Sequence, residues 1–190
     1  MTKNNLKTFF IIIVIGIVLG CGSNISRKVT VDTHKIAPFK GLTSQKIAII
    51  ETDSSKSKVP NIVEIMSMTF MDYGFNIVEQ TYVSQVLREN HLVLTSEKDL
   101  EQIQKVGKIL KADKILLVSI TEYSKGQKVF PGGCMSSPSI VTFVNIGVLA
   151  RLIEVKGAET IWTGIATTQD VNLHACLKKI SEKFAKRLED

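Results

Sequence analysis

A block of apolar residues at positions 9–19 stands apart from the rest of the sequence and limits how much chain is available to fold. Lys3 and Lys7 precede it and small residues crowd its far end, which is the layout of a secretory signal peptide. As a helix, about a dozen residues cover roughly 18 Å, well short of the roughly 30 Å that a transmembrane helix crosses. We therefore assign residues 1–20 to a signal peptide, with an uncleaved membrane anchor as the alternative.

The four residues that end this segment, Val18-Leu19-Gly20-Cys21, resemble the lipobox of bacterial lipoproteins. In that motif the cysteine becomes the first residue of the mature chain and carries acyl chains such as palmitate. Two or three chains anchor a protein stably, whereas one chain gives only marginal membrane binding. Gly22 offers no inner-membrane retention signal of the aspartate type, which favours the outer membrane. We expect an envelope lipoprotein that is lipidated at Cys21 and faces the periplasm.

The remaining sequence has the size and charge of one small globular domain. Of the 190 residues, those after the signal peptide are enough for a single hydrophobic core, and we expect no second domain. Removing the two lysines of the signal peptide lowers the net charge from +6 to +4, because no acidic residue precedes Cys21. No dense basic run with interleaved aromatic residues occurs, so anionic lipid headgroups are favoured over nucleic acid as a partner.

Polar residues without a sustained apolar period fill the stretch from 21 to 45. A flexible coil of about twenty-four residues spans roughly 25 to 30 Å on average, and at most about 80 Å when stretched. The pattern therefore predicts a lipidated N-terminus and flexible tether over residues 21–45, followed by one folded domain over residues 46–190.

Alternating strand and helix patterns predict an α/β fold for this domain. The first run is short and rich in β-branched residues, which is typical of a strand buried in the middle of a sheet. Pro60 and Gly74 stand where a first helix would begin and end. The predicted strands cover residues 46–51, 75–79 and 113–123, and the predicted helices cover residues 60–73, 81–87 and 100–110.

The last third of the sequence predicts a hairpin and a terminal helix. A glycine- and proline-rich loop over residues 124–139 precedes a long alternating strand, and a turn at Lys156-Gly157 returns the chain through a second strand. An amphipathic helix over residues 173–188 follows, and its basic side is either solvated or directed at a membrane or partner. The predicted fold is a single compact α/β domain with a mixed β-sheet flanked by helices, a C-terminal antiparallel hairpin and a terminal helix.

The sequence contains none of the usual catalytic, metal-binding or nucleotide-binding motifs. Gly107-Lys108 comes nearest to a phosphate loop, but Gln102 stands where the first glycine belongs and Ile109 where a hydroxyl should follow. His174 and Cys176 are two positions apart and thus on different faces of the predicted helix, which argues against a metal pair. We predict that the protein is not an enzyme and has no metal or cofactor.

The sulfur-containing side chains have structural interpretations. Met66, Met68 and Met71 have no histidine or cysteine among them, so core packing is favoured over soft-metal binding. If Cys21 is acylated, the remaining cysteines are Cys134 in the glycine-rich loop and Cys176 on the last helix. An oxidising compartment would permit a disulfide between them, and two idle thiols or one reactive thiol are the alternatives.

Several segments resemble the lipoprotein family of the curli-secretion channel CsgG, which includes the LpoB type of penicillin-binding-protein activator. Residues 46–51 resemble its opening strand, and 74–80 (GFNIVEQ) with the following helix resemble its next strand and helix. Residues 107–122 resemble its helix-to-strand passage, and 149–163 its final hairpin. The resemblance covers most of residues 46–188 and implies a compact mixed sheet flanked by helices, comparable to the N-terminal domain of TolB.

This resemblance implies a non-catalytic, protein-binding accessory of envelope or secretion assembly. The alternative is a component that self-assembles into a ring or scaffold of a curli-type secretion or surface-structure system, as the channel relatives do. The pore-forming member carries two long amphipathic hairpins that cross the membrane. Because the loop over residues 124–139 leaves little room for such hairpins, we favour the accessory role and an envelope protein as the partner.

Overall fold

A computed structural model describes residues 29–35, 41–52, 59–94, 99–131 and 137–189. Within these ranges the chain forms one six-stranded sheet, four α-helices and a short 3-10 turn at Leu42–Ser44. The strands are β1 (Val29–Lys35), β2 (Lys46–Glu51), β3 (Asn76–Ile77), β4 (Lys114–Phe130), β5 (Ser139–Glu154) and β6 (Glu159–Asp170), and the helices are α1 (Ile62–Asp72), α2 (Gln80–Glu89), α3 (Leu100–Leu110) and α4 (Leu173–Glu189).

The sheet is mixed, with the strand order β1-β6-β5-β4-β2-β3. Strand β2 pairs in parallel with both β3 and β4, and the remaining neighbours pair antiparallel. The parallel pairs are joined through helices, as the geometry of a parallel connection requires. The predicted C-terminal hairpin is β5 and β6, in which Arg151 lies opposite Thr163. These features confirm the predicted fold class.

Helices cover both faces of the sheet and enclose two hydrophobic cores. On one face α1 and α4 pack through residues such as Phe70 and Phe184. On the other face α2 and α3 pack through residues such as Val86 and Ile103. Strand β2 lies between both layers, and Ile47 to Ile50 are accordingly buried on both sides. The near-continuous apolar run of this strand follows from that position.

Strand β1 corrects the prediction of a flexible tether over residues 21–45. Residues 29–35 form a full strand that pairs with β6 at the edge of the sheet, so the tether prediction is wrong for this segment. Val31 packs against the core on one side of the strand, whereas Asp32 and His34 are exposed on the other. Because only one face of β1 is buried, the segment has few apolar residues. Their alternation is too short to predict a strand.

The predicted loop over residues 124–139 is also wrong for half of its length. Strand β4 continues to Phe130 and β5 begins at Ser139, and the two remain paired from end to end. A bulge between Ile120 and Glu122 shifts the register, and the pairing resumes at once beyond it. The paired strands therefore include residues 124–130 and 139 of the predicted loop, and Pro131 and Pro138 lie just outside them.

Two predictions about the N-terminus lie outside the described residues. They are the signal peptide over residues 1–20 and the acylation of Cys21. Cys134, in the connection between β4 and β5, also lies outside the described residues. Among the residues that the structure describes, no helix combines the length and apolar character needed to cross a bilayer.

Candidate binding surfaces

The candidate catalytic and metal-binding side chains do not converge. His34 on β1, His91 in the turn after α2 and His174 on α4 are exposed and separate, whereas Cys176 is fully buried. His174 and Cys176 therefore point to different sides of α4, as their spacing predicts. Across the described ranges, no cluster of three or more His, Cys, Asp or Glu side chains could hold a metal ion.

Cys176 occupies a structural position between α4 and the sheet. Its thiol lies 3.8 Å from the carbonyl oxygen of Val144, to which it donates a weak hydrogen bond. Burial raises the pKa of the Cys176 thiol, and the negative charge of Asp170 raises this pKa further. A raised pKa keeps the thiol neutral at physiological pH, and a neutral thiol is a poor nucleophile. Because Cys134 lies outside the described residues, a disulfide between the two stays a prediction.

We expect Cys176 to resist thiol reagents until the protein unfolds. In a chain that starts at residue 21 and carries Cys21→Ser and Cys134→Ser, Ellman's reagent should modify Cys176 roughly a hundredfold more slowly in buffer than in denaturant, because the thiol is both inaccessible and protonated. The time course of absorbance measures both rates. Equal rates in the two conditions would contradict the buried position.

The distal half of the β4–β5 hairpin extends beyond the sheet as a two-stranded ribbon, which we define as residues 124–130 and 139–145. Strand β6 ends at Asp170, opposite Val144, so the last five residue pairs of the ribbon have no further strand beside them. Val129 and Ile140 lie directly opposite each other near its end and are 62% and 64% exposed. The two side chains form a small exposed aliphatic patch near the end of the ribbon.

Side chains on the other face of the ribbon are packed against one another. The ring of Phe143 lies across Gly126, where a Cβ atom would come within 2.6 Å of the ring. A glycine opposite an aromatic residue lets the ring cover the backbone of the neighbouring strand, which stabilises a ribbon without a core beneath it. The ammonium group of Lys128 lies 5.4 Å from the centre of the Phe130 ring, in the range of a cation–π contact.

A second apolar surface lies beside the other edge of the sheet. We define the methionine groove by the residues that line it: Glu64, Ser67, Met68, Met71, Ile77, Val78, Glu79 and Gln80. Met68 and Met71 form one wall and are 64% and 51% exposed, so the prediction that they pack in the core is wrong for both, whereas Met66 is buried. The amide of Gln80 donates a 2.9 Å hydrogen bond to Ser67, which joins α2 to α1 across the groove.

The methionine groove has the chemistry of a docking site for an apolar side chain. Its volume is about 340 Å³, and the adjoining strand β3 has only two residues. The carboxylates of Glu64 and Glu79 are exposed at its rim. Unbranched methionine side chains adapt to different partners, which makes them frequent on protein-binding surfaces. The sequence predicted that all three methionines pack in the core. Met68 lies outside the helical spacing of the buried Ile62, Met66 and Phe70, and this position was the available signal of its exposure.

Helix α4 docks on the core and leaves a basic side exposed. Leu177, Ile180 and Phe184 are buried, whereas Lys178 and Lys183 are exposed. The docked position of the helix is thus confirmed. Lys179 turns back to form an ion pair with Asp170 at the end of β6.

Comparison with known proteins places this fold in a family. The sequence profile of the GNA1162-like lipoproteins matches residues 37–179, which is most of the chain. The chain belongs to the GNA1162-like lipoprotein family. The resemblance noted in the sequence is confirmed at the level of a bacterial lipoprotein family, whereas its CsgG and TolB parts stay expectations. A search of curated proteins gives no significant match.

Solved structures share the fold at low sequence identity. The PelC dodecamer from Paraburkholderia phytofirmans is 15% identical, with a TM-score of 0.51 over 85% of this chain and 96% of PelC. Lipoprotein GNA1162 from Neisseria meningitidis is 14% identical, with a TM-score of 0.51 over 76% of this chain and 97% of that one. The LpoB C-terminal domain from Escherichia coli is 13% identical, with a TM-score of 0.44 over 68% and 87%. This last similarity is too distant to support an argument.

Proposed function

We propose that this chain is a lipid-anchored lipoprotein of the cell envelope, acylated at Cys21, whose domain binds an envelope protein partner through the methionine groove. Residues 1–20 act as the signal peptide, and the mature protein faces the periplasm from the outer membrane. The domain is a non-catalytic accessory in envelope or secretion assembly. Membership of a lipoprotein family supports the anchor, and the exposure of Met68 and Met71 beside Ile77 supports the binding role.

The exposed methionines carry the proposal because they are difficult to explain as solvent-facing residues. An exposed apolar groove costs free energy in water, and the cost is recovered when a partner covers it. The acidic rim made by Glu64 and Glu79 further favours a partner whose apolar anchor is flanked by basic residues.

A photocrosslinking amino acid at Met68 tests the groove in intact cells. We expect it to form one reproducible adduct with an envelope protein, whereas the same crosslinker at Val93, which is also exposed but lies beyond α2, should not. The additional change Met71→Asp should abolish the adduct, because a buried unpaired charge is strongly unfavourable at an interface. Equal labelling at positions 68 and 93 would contradict the proposal.

Intact-mass analysis of the protein from its native host tests the anchor. The expected mass is that of the chain from Cys21 onward with two or three acyl chains added. An unprocessed N-terminus without acyl mass would overturn this part of the proposal and leave the groove unaffected.

Self-assembly into a ring or scaffold is the second candidate function. It is favoured by the shared fold with PelC, which forms a dodecamer, because that match extends over 85% of this chain. Sedimentation of the lipid-free chain from residue 22 onward should then show a closed oligomer whose population grows with concentration. A clean monomer at high concentration would contradict this candidate.

A further inference from the structure

The ribbon and the proposed lipid anchor lie at the same end of the sheet. Val29, the first residue of β1, pairs with Thr168 of β6. Thr168 pairs with Ile146 of β5, which in turn pairs with Tyr123 of β4. The ribbon begins one residue beyond Tyr123 and points away from the sheet at this level. The chain that leads back to Cys21 therefore leaves the domain from the end at which the ribbon projects.

The linker between Cys21 and β1 and the projecting ribbon have similar lengths. Cys21 lies eight residues before Val29, and eight residues span at most about 29 Å when fully extended. This linker is much shorter than the predicted tether, because β1 takes part of that segment into the sheet. From Tyr123 to Phe130 the ribbon has seven residue steps, which cover about 23 Å at the rise of an antiparallel strand. An anchor at Cys21 would therefore hold the sheet end from which the ribbon projects within about 29 Å of the bilayer, a distance that the ribbon can nearly bridge.

The chemistry of the ribbon suits the interface between lipid headgroups and acyl chains. Val129 and Ile140 present exposed aliphatic surface near its end, and Val171 adds an exposed side chain at the same end of the sheet. Between Glu122 and Glu154 the sequence has lysines at 125 and 128 and an arginine at 151, but no acidic residue. Lysines beside apolar side chains place their stems along the apolar surface and their charges among anionic headgroups.

We propose that the end of the ribbon, with Val129, Ile140, Lys125 and Lys128, inserts into the interfacial layer of the bilayer that holds the Cys21 lipid. This inference rests on the proposed anchor, and it fixes the orientation of the domain by adding a second membrane contact. Seven residues in each strand of the ribbon are fewer than the roughly nine to eleven that a membrane-crossing strand needs, so the contact is interfacial. The orientation leaves the methionine groove at the far sheet edge free for a partner.

Brominated lipids can report the contact directly. The chain from Cys21 onward, with Cys134→Ser, is coupled through Cys21 to a maleimide lipid in vesicles of phosphatidylcholine and phosphatidylglycerol. A Val129→Trp reporter is added; the native Trp162 is fully buried and gives a constant background. Because interfacial elements lie about 5–10 Å deep, bromines near the carbonyl end of the acyl chains should quench the reporter about twofold.

Met68→Trp is the matched control, since Met68 is as exposed as Val129 but lies on α1. Its emission should be unchanged by bromine. Adding Lys125→Glu and Lys128→Glu to the Val129→Trp chain should remove most of the quenching in anionic vesicles. Equal quenching of the two reporters would overturn the proposal. Absence of quenching at both, as expected if the ribbon binds protein instead, would overturn it as well. Chemical coupling bypasses cellular acylation, so this result is independent of the intact-mass measurement.

Discussion

Replacement of Trp162 by alanine is expected to lower the free energy of unfolding by about 3–5 kcal/mol. Trp162 is fully buried on β6, and its ring meets that of Phe184 on α4 edge to face, with a centroid distance of 5.5 Å. The indole also lies over Gly164, where even a Cβ atom would come within 2.7 Å of the ring. The side chain therefore joins the sheet to the terminal helix, and alanine at this position leaves a cavity between them.

Urea unfolding followed by circular dichroism measures this loss, since Trp162 is the chain's one tryptophan and its fluorescence disappears with it. The Trp162→Phe variant retains an aromatic contact with Phe184 and should lose less stability. The exposed Met68→Ala change should stay within about 0.5 kcal/mol of the original protein. A loss below about 1 kcal/mol for Trp162→Ala would show that the sheet and α4 do not depend on this contact.

The sequence predicted best those elements in which the apolar residues follow one clear strand or helix pattern. The run at Lys46–Glu51 lies between two helical layers, and the helical spacing of α1, α3 and α4 places each apolar stripe on a core. In these segments local propensity and tertiary environment favour the same structure, so the pattern suffices. The chain order of strands and helices then determined the fold class.

The missed elements depend on contacts that are remote in sequence. Strand β1 is an edge strand with one packed face, and its partner β6 lies more than a hundred residues away. In the hairpin, the glycine- and proline-rich composition predicts a loop from residue 124, yet the ring of Phe143 covers Gly126 and the strand continues to Phe130, just before Pro131. A strand is therefore maintained there by its partner strand rather than by its own composition.

The candidate binding surfaces were missed for a different reason. Met68, Met71 and Ile140 are apolar residues in predicted helices or strands, and such residues are assigned to the core by default. Val129 fell in the predicted loop, where no partner strand was expected. Only the arrangement of α1 against β3, and of β4 against β5, shows that these side chains remain exposed. The length of the tether was similarly overestimated, because β1 takes residues 29–35 into the sheet.

We also expect a large change in the free energy of unfolding when Gly107 is replaced by alanine. At this position helix propensity and tertiary packing predict changes of opposite sign. In an exposed helix interior, Gly→Ala should stabilise by about 1 kcal/mol. At position 107 of α3, however, a Cβ atom would come within 2.6 Å of a methyl group of Val155, which is buried and β-branched and so cannot easily rotate away. We expect Gly107→Ala to destabilise the protein by about 1–3 kcal/mol in urea unfolding.

A double-mutant cycle with Val155→Ala identifies the cause. Removing the two methyl groups of Val155 should relieve the clash, so Gly107→Ala should cost at least about 1 kcal/mol less in that background than in the original protein. The carbonyl of Gly107 also accepts a 2.9 Å hydrogen bond from the amide of Ala112, which ends α3, but alanine can make the same bond and the cycle is insensitive to it. If Gly107→Ala instead stabilised the protein in both backgrounds, helix propensity rather than the approach of α3 to Val155 would explain the glycine. In that case the contact with Val155 would not explain why residue 107 is a glycine, and its similarity to a phosphate-loop glycine does not explain it.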